Sequence, residues 1–195
     1  MEFTPEQADA HNALTKAAWD IVNAEIIIHG GKERGAPGFF ARRKLQRAAG
    51  LFWKALEINP EGWSSMWALG KIYQRLGDHE RSYQWFLRAR SLNPDQPDVA
   101  REAGLAAMDA GRVEEALELC LAAVHLSPDD LGLRCNLALA YLLAGDDSNA
   151  LECASIAANG DPGDDISQNV LAFVRDVRDG RKPRPRKLGD AFPVV

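Results

Sequence analysis

Cysteines are too few and too scattered in this chain to build a disulfide framework. The three that it has, Cys120, Cys135 and Cys153, are odd in number and lack paired spacing, which favours reduced thiols. No run approaches the roughly 18 apolar residues of a membrane span. The N-terminus also has no basic stretch followed by an apolar run. These absences predict a cytoplasmic protein without a membrane span.

Signals for catalysis are also missing. The four histidines show no His-x-x-x-His or Cys-His spacing, so no metal site is expected. The glycine-rich stretch 30–35 lacks a Gly-Lys-Ser/Thr ending and follows a predicted helix, which favours a connector over a phosphate loop. Three aspartate pairs, 129–130, 146–147 and 164–165, stand at predicted helix starts, where carboxylates cap backbone donors. We therefore expect no enzyme, no catalytic residue, no cofactor and no metal.

What the chain does have is a regular spacing of prolines. Pro60, Pro94, Pro128 and Pro162 lie 34 residues apart. A period of that length is typical of helix-turn-helix units that must stack on their neighbours to bury their apolar faces. The spacing therefore predicts an all-α repeat protein with no strand.

Small residues recur in register with the prolines. Taking 63–96, 97–130 and 131–164 as units, the eighth, twentieth and twenty-seventh places hold small side chains, which close helix crossings require. The fifteenth place is always glycine, where the chain must turn between paired helices. These columns are Gly70, Gly104 and Ala138; Ser82, Ala116 and Ala150; Ala89, Ala123 and Ala157; and Gly77, Gly111 and Gly145.

This pattern resembles the tetratricopeptide repeat family. The first unit matches best, through Met66, Leu69-Gly70, Tyr73, Ser82, Phe86, Ala89 and Pro94. The second unit has Ala100, Ala103 and Ala107 in place of larger residues, which predicts a thinner core, and the third departs at Arg134. The resemblance implies a right-handed α-solenoid of about three helix-turn-helix units with a concave binding surface.

Both ends of the chain depart from the repeat. Residues 1–62 are interpreted as an N-terminal helix plus a partial repeat with an inserted loop near 29–38, which together add a helical pair. Residues 165–180 are expected to form a capping helix, because the last repeat would otherwise expose its face. The basic stretch 181–187 opens a tail, 181–195, that is expected to be disordered. We predict helices at 5–28, 39–58, 62–76, 79–92, 97–110, 113–126, 131–144, 147–159 and 165–179.

The resemblance also implies a binding groove lined by the first helix of each unit. Carried over by position, an apolar strip with polar anchors is expected to bind a peptide or helical segment of a partner protein. Some of the leucines are alternatively expected to pack against a neighbouring helix. The predicted groove residues are Trp67, Lys71, Arg101, Leu105, Met108, Asn136, Leu139 and Leu142.

Other functions stay open at this stage. A carboxylate clamp of the chaperone-binding type is not expected, because Asp98 and Glu102 stand where cations are required. A secretion-type chaperone for an apolar client segment fits the size and charge. The N-terminal helix face with Ile21 and Ile28 is a candidate for homodimerisation.

The five positive charges of the tail, against −10 on the rest of the chain, suggest contact with an acidic surface: nucleic acid, membrane headgroups or the protein's own body. No aromatic residue is interleaved with them, so base stacking is not supported. Nucleic acid is not the expected partner.

Overall fold

The computed structural model describes residues 4–26 and 36–191. Within these ranges the chain forms ten helices and no strand, which confirms the all-α prediction. None of these helices combines the length and the apolar content needed to cross a membrane. The helices are α1 (Pro5–Glu25), α2 (Phe39–Ile58), α3 (Trp63–Leu76), α4 (His79–Leu92), α5 (Pro97–Asp109), α6 (Val113–Leu126), α7 (Leu131–Ala144), α8 (Asp147–Gly160), α9 (Asp165–Arg178) and α10 (Leu188–Ala191).

The helix boundaries follow the predicted ones closely. Helices α2 to α9 begin and end within one residue of their predicted bounds. Helix α1 begins at Pro5, capped by Thr4 and Gln7 in a reciprocal capping box. Its predicted end at Ile28 lies outside the described residues. Helix α10 is absent from the prediction.

The chain divides into two compact units, unit 1 (Met1–Asn93) and unit 2 (Pro94–Val195). In unit 1, α1 pairs with α2 and α3 pairs with α4, while α2 also packs on α3. In unit 2, α5 pairs with α6 and α7 with α8, α9 packs on α7 and α8, and α10 touches α5. The additional N-terminal helical pair and the capping helix expected from the sequence are therefore α1 with α2 and α9.

Glycine makes the turn inside each of three helix pairs. Gly77, Gly111 and Gly145 have φ values of +79°, +74° and +85°, in the left-handed region that a residue without Cβ adopts most easily. The residue after each glycine donates its amide to a carbonyl of the preceding helix, as in the bond from Asp146 to Tyr141 at 2.9 Å. These bonds satisfy carbonyls that the end of a helix otherwise leaves unpaired.

The small-residue columns lie where paired helices touch. A Cβ built on Gly70 would lie 2.7 to 2.8 Å from three ring atoms of Phe86. Ser82 is fully buried beside it and donates its hydroxyl to the Gly70 carbonyl at 2.9 Å. In unit 2, a Cβ on Gly104 would lie 2.9 Å from the Cys120 sulfur. Larger side chains at these places would push the helices apart.

Unit 2 buries its alanines and gives Arg134 a backbone partner. Ala100 is fully buried and belongs to a cluster with Ala123 and Leu133, against which partly buried Val124 and Leu126 pack. Arg134, in place of an apolar residue, donates from Nε and Nη2 to the Pro128 carbonyl at 3.2 and 2.9 Å. The departures from the repeat pattern therefore leave the helix pairs intact.

Carboxylates cap the helix starts, as the aspartate pairs predict. Asp130, Asp146 and Asp164 each accept a backbone N–H of the first turn of α7, α8 and α9. Asp78 does the same for α4, although no aspartate pair marks this helix start in the sequence. These aspartates have structural partners, so general acid or base chemistry is not required to explain them.

Candidate functional site

Trp67, the predicted aromatic anchor of the groove, packs inside unit 1. Its ring stacks on Trp19 of α1 at a centroid distance of 6.1 Å and meets Phe86 of α4 edge-on at 6.3 Å. Trp19 in turn contacts the fully buried Phe52. Trp67 is left half-buried. The contact of this face with α1 could not be assigned from the sequence, because the inserted loop breaks the repeat register between α1 and α3.

Lys71, the predicted cationic anchor, lies over the Trp67 ring. Its ammonium lies 5.8 Å from the centroid of the Trp67 ring, within the range of a cation–π interaction. One turn apart on α3, the two side chains present a half-buried aromatic surface with a positive edge.

The six predicted residues of unit 2 separate into a buried and an open set. We call the surface that they define on α5 and α7 the unit 2 face. Met108, Leu139 and Leu142 are 0%, 5% and 0% exposed, so they are core residues beneath this face, which we call its buried floor, and they offer no open side chain to a partner. The partly open members are Arg101, Leu105 and Asn136.

Arg101 is held by carboxylates of its own helix. Its guanidinium lies 2.9 Å from Asp98 and 4.0 Å from Glu102, which is 7% exposed. The carboxylates therefore partly neutralise this end of the unit 2 face. This arrangement does not suit the capture of a partner carboxylate.

A feature beyond the sequence prediction is the C-terminal segment, residues 181–191. Arg184 places Nη1 2.8 Å and Nη2 2.9 Å from the two carboxylate oxygens of Asp147 at the start of α8. The same Nη1 donates to the Leu142 carbonyl at the end of α7, at 2.7 Å. Pro185 is buried, and so is Ala191 in α10, which touches α5. The segment thus contacts both helices that carry the unit 2 face.

This arrangement corrects the expectation of a disordered tail for residues 181–191. The positive charges meet carboxylates instead of water alone: Arg181 lies 2.7 Å from Asp176 and 2.9 Å from Asp179. Lys182 lies 3.4 Å from Asp176 and 5.3 Å from the Phe173 ring centroid. A charge count along the sequence does not show that these acids end α9 beside the basic stretch. Residues 192–195 lie outside the described residues.

A second apolar surface, which was not predicted from the sequence, lies on the second helices of unit 1. Trp53 of α2 meets Trp85 of α4 edge-on at 4.8 Å, and Arg88 covers the Trp85 ring at 5.0 Å. Trp53, Leu87 and Leu92 are 45%, 40% and 42% exposed. Open recesses border these rings. The signal available in the sequence was the presence of tryptophan and leucine on the second helices, α2 and α4.

No cluster of side chains in the described part of the chain supports metal binding or a reactive thiol. No group of three or more histidine, cysteine or acidic side chains there could hold a metal ion. The cysteines are free thiols, and burial raises the pKa of Cys120 to about 12. Burial likewise raises the pKa values of Cys135 and Cys153. Thiols in these surroundings are poor nucleophiles at neutral pH.

Comparison with protein families identifies the repeat. The Tetratricopeptide repeat family matches residues 34–97, 80–131 and 101–165. Together these matches cover more than half of the chain. The chain belongs to the tetratricopeptide repeat family. This repeat generally serves as a non-catalytic scaffold for protein interaction. Comparison with curated protein sequences gives no match.

Solved structures support the same fold. MamA residues 41 to end from Desulfovibrio magneticus RS-1 is 17% identical with a TM-score of 0.72, over 88% of this chain and 86% of that one. YrrB, described as a TPR protein with an unusual peptide-binding site, is 18% identical with a TM-score of 0.62, over 85% and 84%. A Thermobaculum terrenum O-GlcNAc transferase mutant, K341M, is 18% identical with a TM-score of 0.59, over 80% of this chain. This chain spans 27% of that transferase. Identities this low show a shared fold alone.

Proposed function

We propose that this protein is a non-catalytic interaction scaffold that binds a peptide or helical segment of a partner protein on the first helices of its repeats. The observation that carries the proposal is the composition of the unit 2 face. Arg101, Leu105 and Asn136 are partly open there, above the buried floor of Met108, Leu139 and Leu142. A partly open leucine that shares a helix face with polar side chains fits an extended or helical peptide.

Within unit 1, Trp67 and Lys71 form a separate, smaller candidate patch for a partner segment. Because Trp67 already packs on Trp19 and Phe86, only part of its ring is open to a partner. Lys71 provides the charged edge of this patch. YrrB, which has the same fold and an unusual peptide-binding site, is consistent with peptide binding by such a repeat.

A secretion-type chaperone role is the second candidate, and it has one supporting observation. Trp53, Leu87 and Leu92 form an exposed apolar surface on the second helices of unit 1. Such a surface would suit an apolar client segment. Dimerisation through α1 has less support, since Ala18 and Val22 of that helix are already buried in unit 1. A nucleic-acid role has less support too, because Arg181, Lys182 and Arg184 pair with the protein's own carboxylates.

The proposal is tested with peptides selected from a random display library on the immobilised full chain. Affinities of the selected peptides are then measured for Leu105→Ala on α5 and for the matched control Leu121→Ala, an exposed leucine on the second helix α6. We expect Leu105→Ala to weaken binding about tenfold, as for a good apolar anchor, and Leu121→Ala to leave it unchanged. Binders that lose affinity with Leu121→Ala or Trp53→Ala instead would move the site to the second helices. Failure to select any binder would contradict the proposal.

A further inference from the structure

We infer that the C-terminal segment is a displaceable internal ligand of the unit 2 face, and that this face recognises partner segments carrying an arginine beside a proline. The inference rests on the proposed function, because it concerns the same face. Three observations support it. Arg184 binds Asp147 and the Leu142 carbonyl, an acceptor site that we call the Arg184 seat. Pro185 is buried, and α10 contacts α5. The segment returns from the end of α9 and meets α7, α8 and α5 in succession.

The seat of Arg184 is shaped for a guanidinium group. Asp147 offers both carboxylate oxygens in a parallel, bidentate arrangement. The Leu142 carbonyl, at the negative end of the α7 dipole, supplies a third acceptor 2.7 Å from Nη1. An arginine can donate to all three through its planar fork, whereas a lysine offers a single point of charge. The seat therefore selects arginine over lysine.

The position of the seat links it to the proposed binding surface. Leu142 is one of the floor residues of the unit 2 face, and Asp147 follows it across the Gly145 turn. Beyond the seat, Pro185 is buried and α10 reaches the helix that carries Arg101, Leu105 and Met108. The segment thus contacts both helices that carry the unit 2 face. A partner on this face and the docked segment exclude each other.

The docking is weak enough to be reversed. The Arg184 side chain is 38% exposed, and Arg186 and Lys187 are exposed as well. Helix α10 is a single turn of four residues. Segments with few buried contacts sit at the low end of local stability, and they open without unfolding the rest of the protein. A tethered ligand nevertheless competes well, because its effective concentration is of millimolar order.

Charge sets the kind of partner that can take its place. Without the five charges of residues 181–187 the chain carries −10, so a basic segment is attracted to it and an acidic or phosphorylated one is repelled. The partner class is therefore a basic peptide with an Arg-Pro pair. Its proline fills the position of Pro185 and its arginine fills the seat at Asp147.

The test uses a fluorescent peptide of residues 181–195 as probe, with binding to the full-length protein measured by fluorescence anisotropy. In the wild type the internal segment occupies the face and binding is weak. Arg184→Ala should open the face and tighten binding of the probe about tenfold, in proportion to the loss of a bidentate pair. Arg186→Ala is the matched control: it removes the same charge two residues away, and the Arg186 side chain has no hydrogen bond or ion pair among residues 4–26 and 36–191. It should leave the wild-type affinity unchanged.

Two further arms separate docking from general charge attraction. Two variant probes are compared on the Arg184→Ala protein, in which the face is open. The probe peptide with alanine at position 184 should bind this protein about tenfold more weakly than the probe with alanine at position 186, although the two probes carry equal charge. In the double variant Arg184→Ala, Asp147→Ala, the two probes should bind equally well. If Arg184→Ala does not fold, as judged by circular dichroism, Arg184→Lys takes its place, because it keeps the charge and loses the fork.

The outcomes distinguish this inference from the proposed function. Equal probe affinity for the wild type, Arg184→Ala and Arg186→Ala would overturn the inference. So would a probe that binds none of them. In either case, library peptides that depend on Leu105 would leave the proposed function standing. A tightening specific to Arg184→Ala, lost again with Asp147→Ala, supports the inference.

Discussion

Arg184 and Asp147 form a bidentate ion pair across 37 residues of sequence, with nitrogen–oxygen distances of 2.8 and 2.9 Å. The pair ties the C-terminal segment to the first residue of α8. The hydrogen bond from Arg184 holds the pKa of the Asp147 carboxyl below its ordinary value, and the same bond raises the pKa of Arg184. The pKa of Asp147 and the free energy of coupling between the two residues therefore report on docking of the segment.

A double-mutant cycle should detect this pair. We expect Arg184→Ala and Asp147→Ala to show a coupling free energy of about 1 kcal/mol in urea unfolding, the upper part of the range for partly exposed pairs because the geometry is bidentate. The matched cycle with Arg186→Ala should give a coupling near zero. Coupling of similar size in both cycles would mean that general charge, and not this contact, is being measured.

The coupling should also depend on pH in a defined direction. Because the pKa of Asp147 is lowered in the folded protein, the pair stabilises the folded state above the ordinary carboxyl value of 3.8. This contribution is lost as the pH falls through the lower, folded pKa. We expect the Arg184 and Asp147 coupling to stay constant from pH 7 to 5 and to decline below about pH 4. A decline beginning near neutral pH would point to a different titrating group.

Two glycines in unit 1 should respond to alanine in opposite directions. Gly70→Ala forces a Cβ to within 2.7 Å of the Phe86 ring, so we expect a loss of about 1 to 3 kcal/mol in the free energy of unfolding. Gly50→Ala, inside α2, meets no atom within 4 Å and should stabilise the protein by about 0.5 to 1 kcal/mol. Urea denaturation measures both variants. Equal effects would contradict the assigned contact between α3 and α4.

Ala123 should tolerate no large side chain. It is 1% exposed and packs with Ala100 and Leu133 in the core of unit 2. We expect Ala123→Leu to destabilise the protein by about 1 to 3 kcal/mol, because a filled core accommodates extra atoms only by strain. Leu121→Ala on the same helix, an exposed position, is the comparison and should be close to neutral. Thermal unfolding of Ala123→Leu at the wild-type temperature would show that the repeat register is wrong there.

The three thiols should differ in reactivity. Cys120 is 1% exposed and burial raises its pKa to about 12, while Cys153 is half-buried. At pH 8 we expect iodoacetamide to modify Cys153 first and to reach Cys120 and buried Cys135 only on unfolding. Peptide mass spectrometry over time gives the order. Early modification of Cys120 would show that α5 and α6 separate in solution.

The repeat itself could be predicted from the sequence because its signals are local. Proline at a fixed interval, glycine at the turn and small residues at the crossings each act within one helix pair, so Gly77, Gly111 and Gly145 could be assigned without knowing any distant neighbour. Helix boundaries followed from the same residues. The prediction is strongest where one residue type has one structural use.

The binding surface could be predicted only in part because it depends on distant neighbours. Trp67 fits the pattern of an exposed anchor, yet Trp19 comes from a helix separated from the repeat by the inserted loop. Arg184 fits the pattern of a disordered basic tail, yet Asp147 lies beside it in space. Neither contact leaves a periodic signal, since each joins segments with different local patterns. Similarly, periodicity alone does not distinguish a buried Leu142 from an open one.

A shared surface for the partner and the C-terminal segment is the central claim, and amide hydrogen exchange tests it most directly. In the full chain, the Arg186 amide donates to the Asp190 side chain and the Asp190 amide donates to the Lys187 carbonyl. Both bonds lie within the segment, and because an isolated single helical turn is unstable in water, we expect them to persist only while the segment is docked. We expect saturation with a Leu105-dependent library peptide to speed their exchange while the amides inside α9 keep theirs. Unchanged exchange at Arg186 and Asp190 with the peptide bound would show that the partner and the segment use different surfaces, and would contradict the claim.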